Sequence, residues 1–231
     1  MTRRSWNGFA RELGLLIPVA AGLILIIRGV VYPVVGLPRA APTPMITLIL
    51  LGLIGWFLRR AGRTWRDVGL RRPASLLGIA ALTVLLFVTK LLLLPPISDA
   101  IGRAFDLGAP DHTFFNHIHG NVPAFIAWIA IAWGVGALAE EMVFRGYLLT
   151  GIAAVTGGTV RGPVVGILAQ ALLFGVAHVY MGPAAATSAG LGAIASGLVV
   201  VLARGNLWPA IIVHGVWDSL GVTLLFLKGV V

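Results

Sequence analysis

Cysteine is missing altogether from the 231 residues, which excludes disulfides, thiol catalysis and iron–sulfur clusters. Charge is scarce: 11% of the residues are Asp, Glu, Lys or Arg, against about 25% in an ordinary soluble domain. Acid is scarcer still, with eight carboxylates against seventeen lysines and arginines. What fills the chain instead is apolar, 58% of it hydrophobic at a mean hydropathy of +0.98. Such a chain reads as an integral membrane protein.

Nearly uncharged runs, most of them long enough to cross a bilayer at about 20 residues each, fall at 13–35, 44–58, 74–97, 122–150, 163–180, 183–203 and 207–227. Lipid offers no partner to an unpaired backbone group, and no run alternates as a membrane barrel would, so each is expected to be a helix. The expected fold is all-α, a polytopic transmembrane helix bundle of about seven spans. A break near Gly134 and Gly136 would change that count to six or eight. No repeat, low-complexity tail or linker divides the chain, so 1–231 is read as one membrane-embedded domain. The first run is long for a cleavable signal and is read as a retained helix.

The positive charge sorts by loop. Arg3, Arg4 and Arg11 precede the first run, and Arg59, Arg60, Arg63, Arg66, Arg71 and Arg72 crowd the connection between the second and third. The 98–121 loop carries Asp99, Asp106 and Asp111 against Arg103 alone. By the positive-inside rule the N-terminus is cytoplasmic and the C-terminus external. Basic loops lying on the anionic lipid bilayer account for the net charge of +9, so no nucleic-acid partner is implied. Lysine occurs only at 90 and 228, an arginine bias that points to a GC-rich prokaryote and its plasma membrane. Lys90 and Arg28 are expected to snorkel toward span ends. The stretch "TWRDVGL" at 64–70 reads as a short interfacial helix.

Five ionisable side chains of catalytic type remain inside apolar runs: Glu140, Glu141, His178, His214 and Asp218. A charge at the bilayer centre costs at least about 2.5 kcal/mol, so such groups face a polar interior and mark function. Helical spacing puts Arg145 one turn after Glu141, the favourable order for an ion pair, and turns Glu140 about a hundred degrees away. Phe174 shares a face with His178, and His214 shares one with Asp218. His112, His117 and His119 lie in the 98–121 loop at irregular spacing and are read as solvated histidines.

The order EExxxR (Glu140, Glu141, Arg145), FxxxH (Phe174, His178) and HxxxD (His214, Asp218), each in an apolar run, resembles the CAAX-protease and bacteriocin-processing family of intramembrane proteases. The resemblance covers about 122–225. It implies an endopeptidase acting on a membrane-associated peptide or protein substrate. HExxH and GxGD are absent, and "IASG" lacks the first glycine of GxSG, so three other intramembrane protease classes drop out.

The residue chemistry is compatible with that activity. Glu140 and His178 suit the activation of water and the donation of a proton, while His214 and Asp218 suit an oxyanion or a metal. Two histidines and a carboxylate, His178, His214 and Asp218, also match the donor types of a catalytic zinc. Arg145 would hold Glu141 in a structural pair, and Phe174 would wall His178 from lipid. A proton-coupled transporter or a non-catalytic membrane scaffold would use the same polar groups. One tension accompanies every reading: at about 1.5 Å rise per residue, Glu140 and His178 sit about 15 Å apart in depth. A helix break, tilt or a fifth helix that starts below the membrane surface would close that gap. The sequence favours a cavity mouth on the cytoplasmic side.

Overall fold

A computed structural model describes residues 6, 8–27, 42–157 and 160–230; Arg3, Arg4 and Arg28 lie outside the described residues. Among the described residues there is no strand. Seven long helices among the described residues fall on the seven apolar runs, the 28–35 part of the first run lying outside the described residues: α1 Phe9–Ile26, α2 Pro42–Arg60, α3 Leu76–Ala104, α4 Val122–Thr156, α5 Arg161–Ala177, α6 Pro183–Leu202 and α7 Trp208–Lys228. Of these, α1, α3, α4, α6 and α7 are long and apolar enough to cross a membrane by themselves. Short 3-10 turns at Thr113–Ile118 and Val179–Met181 complete the helical content used below.

Glycines at 134 and 136 do not split α4. Its backbone instead winds as a π-helix over Ala132–Glu140 and again over Met142–Leu149, where i→i+5 bonding widens the turn without ending the helix. Pro95 and Pro96 do not end α3 either. Each proline removes one backbone donor, yet the helix runs through both to Ala104. Its start is fixed by Ser75, whose Oγ accepts the Gly78 N–H at 3.0 Å.

α4 is the spine, because two separate apolar clusters both close on it. One joins Trp6, Phe9 and Leu16 of the N-terminal segment to Ile54 and Leu58 of α2 and to Val143, Tyr147 and Leu148 of α4. The other joins Leu86 of α3, Ala137 and Met142 of α4, Val199 and Val200 of α6, and Ile211 and Val213 of α7. At the edge of the first cluster the Tyr147 hydroxyl donates to Glu12. Arg63 pairs with Glu12 at 3.5 Å and lies over the Trp6 ring. Glycines let α5 and α6 touch: Gly175 and Gly190 face each other, and a Cβ at Gly175 would meet the Ala186 carbonyl at 2.8 Å.

The outward surface is apolar, with Leu76, Leu77, Leu92, Leu172 and Leu224 all exposed. An apolar belt of this kind belongs against hydrocarbon.

On the arginine-rich face the loops are tied together. The 64–70 stretch forms a closed turn instead of an interfacial helix. Thr64 donates to Asp67 Oδ2 from its N–H at 2.7 Å and from its Oγ1 at 2.9 Å. The first of these bonds chiefly holds the Asp67 carboxyl below its ordinary value. The Leu207 N–H donates to the Gly69 carbonyl at 3.2 Å, Asn206 Nδ2 to the Arg71 carbonyl at 3.0 Å, and Arg71 Nη2 to the Arg204 carbonyl at 2.7 Å. Gly69 has φ +108°, and a Cβ there would collide with the Gly205 carbonyl. Gly69→Ala is therefore expected to lower unfolding stability in detergent by at least about 1–3 kcal/mol. Gly62→Ala, at φ +65° but with open space around it, should lose distinctly less, and equal losses would dismiss the clash.

Candidate active site

The wide π-turn of α4 directs consecutive carboxylates inward. Glu140 is 8% exposed and Glu141 fully buried, so both acids sit in the interior despite the angle an α-helix would put between them. Across from them stands His214 of α7. Its Nδ1 lies 2.9 Å from Glu141 Oε1, and its Nε2 lies 3.4 Å from Asp218 Oδ2 and 4.0 Å from Glu140 Oε2. Arg145 Nη1 approaches the same Glu141 Oε1 at 2.9 Å. Glu141 thus holds an imidazole and a guanidinium at one oxygen, which makes it an orienting group for His214 as well as the partner of Arg145. Its Oε2 and the Arg145 Nε have no partner among the described residues.

Gly136, about one turn before Glu140 and in sequence terms a candidate break, makes room for this cluster. A Cβ there would stand 2.7 Å from Asp218 Oδ2 and 3.7 Å from His214 Nε2. Gly215 plays the reciprocal part on α7, where the Trp133 ring of α4 covers it and donates to Ser219 Oγ at 3.0 Å.

His178 closes α5. Its Nδ1 is 2.8 Å from the Phe174 carbonyl; a carbonyl only accepts, so Nδ1 carries the proton and Nε2 is left as the reactive nitrogen. Phe174 does more than shield it. The ring lies 4.5 Å from His178, 6.1 Å from His214 and 4.9 Å from Phe144 by centroids, with the Arg145 guanidinium 4.5 Å above it. One aromatic side chain therefore spaces α4, α5 and α7 around the polar cluster.

The Phe144–Phe174 contact also answers the depth problem, since it sets the middle of α4 level with the end of α5. Glu140 is sixteen residues above the end of α4 and His214 only six above the start of α7. The α4–α5 hairpin accordingly extends past the start of α7 by up to about 15 Å. A fifth helix rooted that low brings His178 to the level of Glu140.

These groups line one cavity of about 670 Å³, together with Lys90, Trp217, Ser188 and Ser196. From Glu140, Glu141 and Arg145 it extends past Trp128, Tyr180 and Leu225 to Pro110, His112 and Lys228. Its lining runs to the face of the 98–121 loop, opposite the arginine-rich loops. Loop histidines contribute a strut there. His117 Nε2 accepts from Trp128 Nε1 at 2.9 Å, and its Nδ1 meets the Phe114 carbonyl at 3.0 Å. His117 is exposed, with both ring nitrogens hydrogen-bonded inside the loop region.

Zinc was one reading of His178, His214 and Asp218. In this arrangement His214 has carboxylates at both nitrogens, and no three His, Asp or Glu among the described residues are placed to hold an ion. The donor set does not fit a metal here, and no step is routed through one.

Lys90 and Trp217 were not singled out as site residues by sequence. Lys90 was expected to snorkel because the third run was read as stopping at 97. In the structure it is the midpoint of α3 and buried. The signal available was a lone lysine in an otherwise uncharged run.

Arg145→Met should cost about 3–5 kcal/mol of unfolding stability, because Glu141 would be left buried beside His214 alone. Glu141→Gln in the same chain should recover at least about 1 kcal/mol of that loss. Strict additivity in the double-mutant cycle would deny the coupling.

The family model described as "Type II CAAX prenyl endopeptidase Rce1-like" matches residues 122–220. The match runs from the start of α4 into α7 and takes in Glu140, Glu141, Arg145, Phe174, His178, His214 and Asp218. No curated protein and no solved structure matches the chain.

Proposed function

We propose, from the similarity of residues 122–220 to the Rce1-like family model and from the site geometry, that the protein is a glutamate-dependent intramembrane endopeptidase that needs no metal. The kind of activity, a membrane endopeptidase, is what that similarity implies. The mechanism is our reading of the side chains, and one observation carries it: Glu140 Oε2 and His214 Nε2 are 4.0 Å apart. That gap is too long for a hydrogen bond, yet a single water within hydrogen-bond distance of both can bridge it.

Glu140 takes a proton from this water as the oxygen bonds to the peptide carbonyl carbon. His178 Nε2 accepts the water's other hydrogen and aims its lone pair. Negative charge then develops on the former carbonyl oxygen. The imidazole of His214, polarised by Glu141 at Nδ1 and by Asp218 beside Nε2, is suited to stabilise it. Collapse of the tetrahedral species breaks the C–N bond, and the proton on Glu140 passes to the leaving amine. Glu141 and Phe174 act as positioning residues, against His214 and His178 respectively, and Arg145 holds both of them in place.

The substrate is a membrane-associated peptide or protein that enters the cavity from the face of the 98–121 loop. With the arginine-rich loops cytoplasmic by the positive-inside rule, that face is external, as is the C-terminus, in a prokaryotic plasma membrane. A proton-coupled transporter would share the acids, but it has no use for a water gap closed at one end.

Glu140→Gln should reduce cleavage of a membrane peptide mixture, followed by mass spectrometry, by at least about 100-fold, with thermal unfolding unchanged within a few degrees. Cleavage that survives in this variant would remove Glu140 as the base. Elemental analysis should find well under one zinc per chain. About one zinc per chain, lost in His178→Ala and His214→Ala, would replace the metal-free reading.

A further inference from the structure

A cation at the middle of a span is expensive unless it is paired. Lys90 sits at the midpoint of α3, 9% exposed, and forms no ion pair with any carboxylate among the described residues. Its ammonium is 5.2 Å from the Trp217 ring centroid, a contact that favours a cation without neutralising it. Opposite it is Gly192, where a Cβ would stand 3.5 Å from Lys90 Cε and 3.8 Å from Nζ. The glycine therefore leaves space at the head of the side chain, and that space belongs to the cavity.

The neighbouring charges explain why the ammonium is free. Its electrostatic neighbours are Arg145, Glu141 and Asp218. Glu141 is already held by Arg145 and His214, and Asp218 lies against His214. Lys90 is a buried cation of the cavity with no carboxylate of its own among the described residues, lodged where an anion brought by a ligand can reach it, whereas Lys228 is exposed at the far end of the lining.

We propose that Lys90, with Trp217 and Gly192, is an anion-binding subsite that takes a carboxylate of the bound peptide. The proposal rests on the endopeptidase reading for the identity of the occupant, because a peptide's anionic groups are its C-terminal carboxylate and its Asp and Glu side chains. Lys90 then fixes the register of the peptide relative to Glu140. It is a positioning residue for the reaction, and it makes the enzyme selective for a carboxylate at one distance from the cut bond.

Binding decides this independently of turnover. In the Glu140→Gln chain, which leaves the peptide intact, equilibrium affinity is measured for a short N-acetylated alanine–valine–leucine peptide as its free acid and as its amide. A third probe is the amide with one internal glutamate. At least one acidic probe should bind about tenfold or more tighter than the neutral amide, as a charge-assisted contact out of water provides. Preference for the free acid assigns the subsite to the chain terminus, and preference for the glutamate peptide assigns it to a side chain. Lys90→Met should bring the ratio within about twofold, and Lys90→Arg should keep it. Equal affinity for all three probes would overturn the proposal even if Lys90→Met failed to fold, and so would a preference that persists in Lys90→Met. Loss of the endopeptidase reading would show separately, as a wild-type chain that cleaves nothing.

Discussion

Glu141 Oε1 meets a guanidinium from its own helix and an imidazole from α7, both at 2.9 Å. The rest of the site hangs on that oxygen. A buried carboxylate with one cation is marginal, since desolvation consumes most of the attraction. With a guanidinium and an imidazole at one oxygen the carboxylate has two partners, and α4 is joined to α7 at the level where the chemistry is proposed. His214 gains a fixed orientation from the arrangement, because Nδ1 is committed to Glu141 and Nε2 must then look toward Glu140 and Asp218. The same logic governs metal-free and metal-dependent imidazoles alike: the nitrogen that does not react sets the aim of the one that does.

The geometry around this node depends on departures from regular helix. π-winding narrows the angle between the adjacent Glu140 and Glu141, and both are buried. Gly136 then gives the cluster its room, and Phe174 holds three helices at the spacing the cluster needs. None of these features adds a polar group. They decide whether the polar groups meet.

Depth and closure follow from the long α4–α5 hairpin and from the latch between the 64–72 and 203–207 loops. The latch ties the arginine-rich end through hydrogen bonds to backbone carbonyls, one from a backbone N–H and two from side chains, and the cavity lining runs to the 98–121 loop. Burial keeps bulk water from Glu140 and Glu141, which strengthens the charge interactions around them. An unpaired Lys90 in that setting attracts anions more strongly than it would at a surface.

The sequence by itself determined the all-helical fold and singled out most of the polar groups that meet in the cavity. Long uncharged runs have one economical conformation in lipid, and an acid or histidine within such a run is conspicuous because burying it is costly. It also determined the i, i+4 pairing of Glu141 with Arg145, a contact made within one helix. Only the tertiary structure decided that Glu141 also serves His214, that Gly136 is a space-maker and not a break, and that Lys90 faces the cavity. It alone set the low root of α5 and the direction in which the cavity lining runs. Each of these depends on how helices distant in sequence are placed in depth and rotation, and a one-dimensional pattern of hydropathy and charge carries no information on either once a helix is apolar all round.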